Sequence, residues 1–264
     1  MRFASLFLEP RNGDIANNRP LRKALSFLVA VLILSIVLFA SFAALRYQWN
    51  WEAAFRYRLK FLEGWLTTLK ISSVSFIFAF ILGSLSTLCS RSRFLPIKYL
   101  ASLYVELIRG TPLLVQIFLF YYVIADAANV QNRYVVGVAI MAIFSGAYIS
   151  EILRAAIEGV GKSQLLSAKS IGFSEYQTFR YVIAPQALRS SLPALAGQTA
   201  NLIKDSSLLS IIAISEFTLN AQEVNAITYS SFESFFPLAI GYLIITLPIM
   251  RLSRYIEESL RYDT

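Results

Sequence analysis

Apolar residues in this chain gather into long runs separated by short polar stretches, near residues 24–45, 64–89, 98–124, 134–157, 186–203 and 235–256. About 20 apolar residues suffice to cross a bilayer as a helix. The pattern therefore predicts an all-α polytopic membrane protein with six transmembrane helices. The third run is interrupted by Arg109-Gly110-Thr111-Pro112. The stretch 208–214 is too short to cross at about 1.5 Å per residue. The first run could be read as a signal peptide, with Ser41 and Ala43 as small cleavage-site residues. It is longer than a typical signal core and follows a long leader, so an uncleaved helix is expected. Residues 1–23 are polar and basic and predict no fold. Residues 46–63 mix Tyr47, Trp49, Trp51, Phe55 and Tyr57 with Arg46, Arg56, Arg58 and Lys60. That mixture predicts an amphipathic helix at the membrane surface.

Composition agrees. The chain has 264 residues, 56% hydrophobic and 15% charged, against about 25% charged in soluble domains. Its net charge of +8 would suggest nucleic acid for a soluble protein; here it fits basic cytoplasmic loops. With the N-terminus inside, the inner segments hold sixteen Lys and Arg and the outer loops five, so both termini are expected in the cytoplasm. Histidine is absent, which excludes His-based catalysis and His metal sites. A single cysteine, Cys89, rules out an intrachain disulfide.

Between the fourth and fifth runs lies 162–185, read as two short helices around a glycine corner. Ser163 is placed to cap the first helix, and Gly172 stands where a helix end favours a left-handed residue. Ser174 with Gln177 forms a capping box for the second helix, and Pro185 is expected to close it. Just before it, Gly159-Val160-Gly161-Lys162-Ser163 imitates the end of a phosphate-binding loop. The full pattern needs a further glycine where Ala156 stands and a strand where an apolar run stands. ATP chemistry is therefore not expected in this chain.

Charged residues inside apolar runs are the remaining candidates. Glu106 and Arg109 are three apart and are expected to neutralise one another across one helix face, either as a structural pair at a kink or as functional charges. Glu151 and Arg154 repeat that spacing. Lys204, Asp205, Ser206 and Ser207, with Gln198 upstream, interrupt two apolar pieces. They form either an intramembrane polar site suited to a zwitterionic solute or a plain helix end at the outer interface.

Several strings resemble one family. Arg109–Gln116, RGTPLLVQ, is similar to a signature of the polar amino-acid permeases of ABC importers. So are GWLTTLKIS at 64–72, AYISEILR at 147–154, and KDSSL at 204–208, where the family carries K-D-T-S-L. Ser163, Gln164, Ala168, Gly172 and Pro185 fall at positions of its cytoplasmic "EAA" loop; Leu166 stands at that loop's glutamate and Ser167 at its first alanine. The resemblance covers about residues 64–257. It implies a type I ABC importer permease domain over 64–264. Residues 1–63 would add a cytoplasmic tail, an extra transmembrane helix and an amphipathic periplasmic segment. It implies a non-enzymatic half-transporter in a bacterial inner membrane, paired with a second permease subunit, either a copy or a paralogue. The 162–185 loop would dock a separate ATPase that binds ATP and Mg, leaving this chain without cofactor or metal. An extracytoplasmic solute-binding protein would deliver an amino acid to a path lined by Gln198 and 204–207. The readings from other classes are an ATP-independent channel or carrier, and an intramembrane enzyme using Glu106 or Asp205 as acid or base.

Overall fold

The first apolar run folds as helix α1 (Pro20–Ala44). In the computed structural model, which describes residues 20–44, 47 and 49–261, it belongs to one of two compact units, Met1–Trp49 and Asn50–Thr264. Within that unit its side chains over 24–41 are almost all exposed. They are apolar, as suits contact with lipid.

The second unit contains α2 (Trp51–Arg56), α3 (Arg58–Ser90), α4 (Leu95–Arg109), α5 (Leu113–Phe118), α6 (Arg133–Glu158), α7 (Lys162–Ser170), α8 (Glu175–Thr178), α9 (Ala184–Asp205), α10 (Phe217–Thr228) and α11 (Ser231–Arg261). Helix α3 starts earlier than the apolar run that predicted it. Phe61, on its first turn, is buried against Phe217, Ala221 and Val224 of α10, so residues before Gly64 are helical through packing rather than hydropathy alone.

Among the described residues, four helices are long and apolar enough to cross a membrane: α1, α3, α6 and α11. A fifth span results if α4 and the helix beyond Pro112 count as one, bent by 108° at the break. Helix α9 has 22 residues, about 33 Å at the usual rise, but Gln186, Arg189, Gln198 and Lys204 dilute its hydropathy.

Helix α6 is the centre. Asn132 caps it by accepting from the backbone N–H groups of Tyr134 and Val135. Its buried stripe, from Val136 through Ile140, Met141 and Phe144, packs with Ile71 of α3, Ile117 of α5 and Leu202 of α9. Further along α6 the packing against α3 is close and partly polar. Thr87 Oγ1 donates to Ser150 O (3.0 Å) and Ser150 Oγ to Ser86 Oγ (3.1 Å). Small residues let the two backbones meet, as in other membrane helix pairs. A Cβ on Gly83 would stand 2.7 Å from Ile149 Cγ2 and 2.8 Å from Gly146 O. Gly83→Val should therefore overpack the α3–α6 seam at a cost of about 2 kcal/mol or more. A lowered melting temperature and yield in detergent would report this; unchanged values would show that the seam can open.

Two breaks shape the chain. After α4, Thr111 Oγ1 donates to Leu107 O (2.9 Å). The Gln116 carboxamide donates to Ile108 O (2.7 Å) and Thr111 Oγ1 (2.8 Å). These donors serve carbonyls left over where Gly110 and Pro112 stop the helix. The helix then widens to a π turn over Leu119–Ala125. The second break was expected at Pro185, where a helix was to close. The chain instead stays helical from α8 through a π turn at Phe179–Ile183 into α9. Ala184 N–H bonds to Phe179 O, five residues back. That widening makes room for a proline ring that a regular turn would reject.

Candidate functional site

The 162–185 element is built by its own backbone. The N–H of Phe173 bonds to Ala168 O and that of Gly172 to Lys169 O, both at 3.0 Å. With Gly172 at φ +83°, this pair of bonds is a Schellman corner ending α7. Ser174 accepts from Gln177 N–H, and Gln177 Oε1 accepts from Ser174 N–H (2.8 Å), completing the capping box that starts α8. Ser163 does not cap α7. The N-cap position is Gly161, and Ser163 lies inside the first turn with an exposed side chain; Lys162 already has helical geometry, which moves the boundary back two residues. Ala168 is buried, while Gln164 bonds to Gln186 at the start of α9. Pro185 is exposed. Across this element Leu166, Ile171, Tyr176 and Tyr181 are 64–73% exposed, large apolar side chains available to a partner. Glu175 of α8 holds Arg93, from the α3–α4 turn, at 2.6 Å.

The charged side chains of the spans pair differently from their spacing. Arg109 does not meet Glu106, which is exposed and in no ion pair among the described residues. It lies 3.6 Å from Glu151 on α6, with its guanidinium 5.4 Å above the Tyr148 ring. Helix α4 packs against α6, so a tertiary partner displaces the local one. Glu151 also pairs with Arg154 (2.5 Å), and Arg154 with Glu158 (2.5 Å). The result is one network joining α4 to the end of α6.

Higher on α9 the polar residues form a separate group. Gln198 is buried and its Nε2 lies 3.4 Å from Ser145 Oγ on α6. Asp205 ends α9 where the chain tightens into a 3₁₀ helix over Ser206–Ile212. Its carboxylate is half-buried and has neither ion pair nor hydrogen bond among the described residues. Lys204, next to it, is exposed; its charge acts on the carboxylate without closing an ion pair. Ser206 is fully buried, its hydroxyl taken by Ile203 O (2.8 Å). Ser207 is half-exposed. A carboxylate without a partner beside a break between helices can accept a cationic group from outside the chain.

Glu216 is absent from the motifs above, and Gln116 enters them only as the last residue of RGTPLLVQ; the structure gives both a role. Glu216 is fully buried. It caps α10 by accepting from the N–H groups of Leu219 (2.8 Å) and Thr218 (2.9 Å), and receives the Tyr242 hydroxyl of α11 at 3.2 Å. Thr68 of α3 accepts from Phe217 N–H (3.1 Å) beside it. This knot ties α3, α10 and α11. Its only local signal is an acid two and three residues before free helical N–H groups; the rest is tertiary. Gln116 likewise shows no local sign that its carboxamide closes the α4–α5 break.

A core of long apolar helices with one bent pair, joined to a capped helical corner, is the frame of an integral membrane component. Residues 75–262 match the family model described as "Binding-protein-dependent transport system inner membrane component", and the chain belongs to that family. It is 33% identical over 216 residues to the glutamine transport system permease protein GlnP of Escherichia coli (strain K12), a match covering 81% of this chain and 99% of that protein. The crystal structure of an amino acid ABC transporter with histidines aligns at TM-score 0.76 and 33% identity, over 81% of this chain and 100% of that one. The inward-facing MetNI methionine ABC transporter aligns at TM-score 0.64 and 15% identity, over 75% of this chain and 97% of that one, and shares the fold. The chain is thus a multi-pass inner-membrane permease component with the type I importer fold.

Proposed function

We propose that this chain is the permease subunit of an ATP-driven amino-acid importer, working beside a second permease subunit. A solute-binding protein delivers the amino acid outside, and separate ATPase subunits dock on α7, Gly172 and α8. ATP and Mg act in those subunits, not in this one. The observation that carries the reading is the exposed apolar surface of the 162–185 element, held by a Schellman corner and a capping box. A rigid, projecting apolar corner suits transmission of force from a partner that closes and opens. Coupling follows if ATP binding favours one arrangement of the spans over the other. Glutamine is the first substrate to test, because the E. coli relative is named for it.

Purification of the native complex with mass spectrometry of its subunits tests this reading. Stoichiometric recovery of an ABC ATPase is expected; a chain purified as a permease alone from native membranes would contradict it. The first apolar helix is assigned to insertion and assembly, since 24–45 holds no ionisable residue and the family match begins at 75. Deleting 1–45 should lower the amount of assembled complex and leave uptake per complex near that of the full chain. A truncated complex that assembles fully yet cannot transport would refute this assignment.

A further inference from the structure

A cavity of about 820 Å³ lies where the end of α6, the start of α7 and the first turns of α9 meet. Its size falls within the range of small-molecule sites, roughly 300–1,000 Å³. Its walls carry opposite electrostatics. On the α9 side stands Arg189, which has no carboxylate in ion-pair reach among the described residues. Glu151, also at the wall, is held by Arg154 at 2.5 Å and approached by Arg109 at 3.6 Å, so it does not compensate Arg189. On the α6 side the wall is formed by Ala155, Ala156 and Gly159, the last turn and cap of a 26-residue helix. The carbonyl end of such a helix carries partial negative charge. Gln164 of α7 and Gln186 of α9, bonded to each other, also line it, with Ser190 and Ser191 of α9.

Arg189, the carbonyl end of α6 and the carboxamides of Gln164 and Gln186 all line this one cavity, a set that complements a zwitterion: carboxylate for Arg189, ammonium for the end of α6. Asp205 lies 16 residues further along α9, about 24 Å away at the helical rise, so this site is distinct from the path proposed above. Because Gln164 sits on α7, and Gln186 and Arg189 on α9, a bound ligand bridges the two helices. We propose that this cavity binds a free α-amino acid by its carboxylate and ammonium groups, and that occupancy clamps α7 against α9. The second half rests on the reading of α7–α8 as the ATPase dock. Its consequence is feedback: amino acid accumulating on the α7 side slows the ATPase.

The test uses the full chain in complex with its ATPase in lipid nanodiscs. Cys89→Ser removes the only native thiol, and Ser190→Cys places one at the cavity wall. Millimolar L-glutamine should slow labelling of that thiol by a charged maleimide, and glutaminamide, lacking the carboxylate, should not. Adding Arg189→Ala should weaken protection at least about tenfold in glutamine concentration, the order expected for losing a charge-assisted contact. Arg189→Lys should restore part of it, and Asp205→Asn should leave it intact. Glutamine should slow ATP hydrolysis by the complex and lose that effect in Arg189→Ala. No protection, equal protection by the amide, or protection lost with Asp205→Asn would overturn the site. Protection without any change in ATP hydrolysis would overturn the clamp. Failure of an ATPase to co-purify is a separate result, which sinks the docking reading while labelling of the permease alone still reads the cavity.

Discussion

Asp205→Asn should lower uptake of amino acid by about 10- to 100-fold, the range set by removing one charged hydrogen-bonding partner worth about 1.5–3 kcal/mol. The substitution keeps size and removes charge. Asp205 is half-buried at the junction of α9 with the 3₁₀ helix; the charge of Lys204 acts on it, but no ion pair or hydrogen bond holds its carboxylate among the described residues. A half-buried carboxylate with a structural role would have a direct partner, because burying a charge without one is costly. One that lacks it is available to an ammonium group brought by the substrate. Since no intramolecular pair is broken, assembly and ATPase association should persist, and ATP hydrolysis in the partner should survive. The check is uptake beside complex yield. Wild-type uptake by Asp205→Asn would reduce this junction to an ordinary helix end. Loss of the assembled complex would make the carboxylate structural and move the search for substrate contacts to Gln198.

The second large effect is expected at Gly172. Its φ of +83° lies in the left-handed region, where a β-branched residue is strongly disfavoured. No atom lies within 4 Å of the position a Cβ would take, so a substitution there acts through the backbone alone. The left-handed conformation costs most residues about 1–2 kcal/mol, and valine more. Gly172→Val should therefore open the Schellman corner, change the angle between α7 and α8, and release the ATPase from an otherwise folded permease. Gly172→Asn is the control, because asparagine tolerates this conformation, and it should retain the ATPase. Equal ATPase recovery with valine, asparagine and glycine would mean that the corner does not form the dock.

What the sequence made legible follows from how local each feature is. The capping box at Ser174 and Gln177 and the left-handed Gly172 are decided within six residues, so spacing alone placed them. Long apolar runs marked α1, α3, α6 and α11 because hydropathy over 18 residues needs no partner. Interactions that depend on how helices meet were not readable. Arg109 was expected to pair with Glu106, three residues away, but the packing of α4 on α6 brings it to Glu151 instead. Glu216 carried only the local mark of a helix cap; Thr68 and Tyr242, which surround it, are more than a hundred residues upstream and 26 downstream. The π turns at 119–125 and 179–183 add one residue to a turn without any compositional mark. Pro185 consequently looked like a stop and is accommodated within a continuous helix.

The central claim is that this chain moves an amino acid at the expense of ATP hydrolysed by another subunit. Its most direct test is uptake of radiolabelled L-glutamine into proteoliposomes holding the native complex, with ATP inside and the binding protein outside. Uptake should require both ATP and the binding protein and should fall with Asp205→Asn. Glutamine entry of equal rate without ATP, or from permease reconstituted without an ATPase, would contradict it.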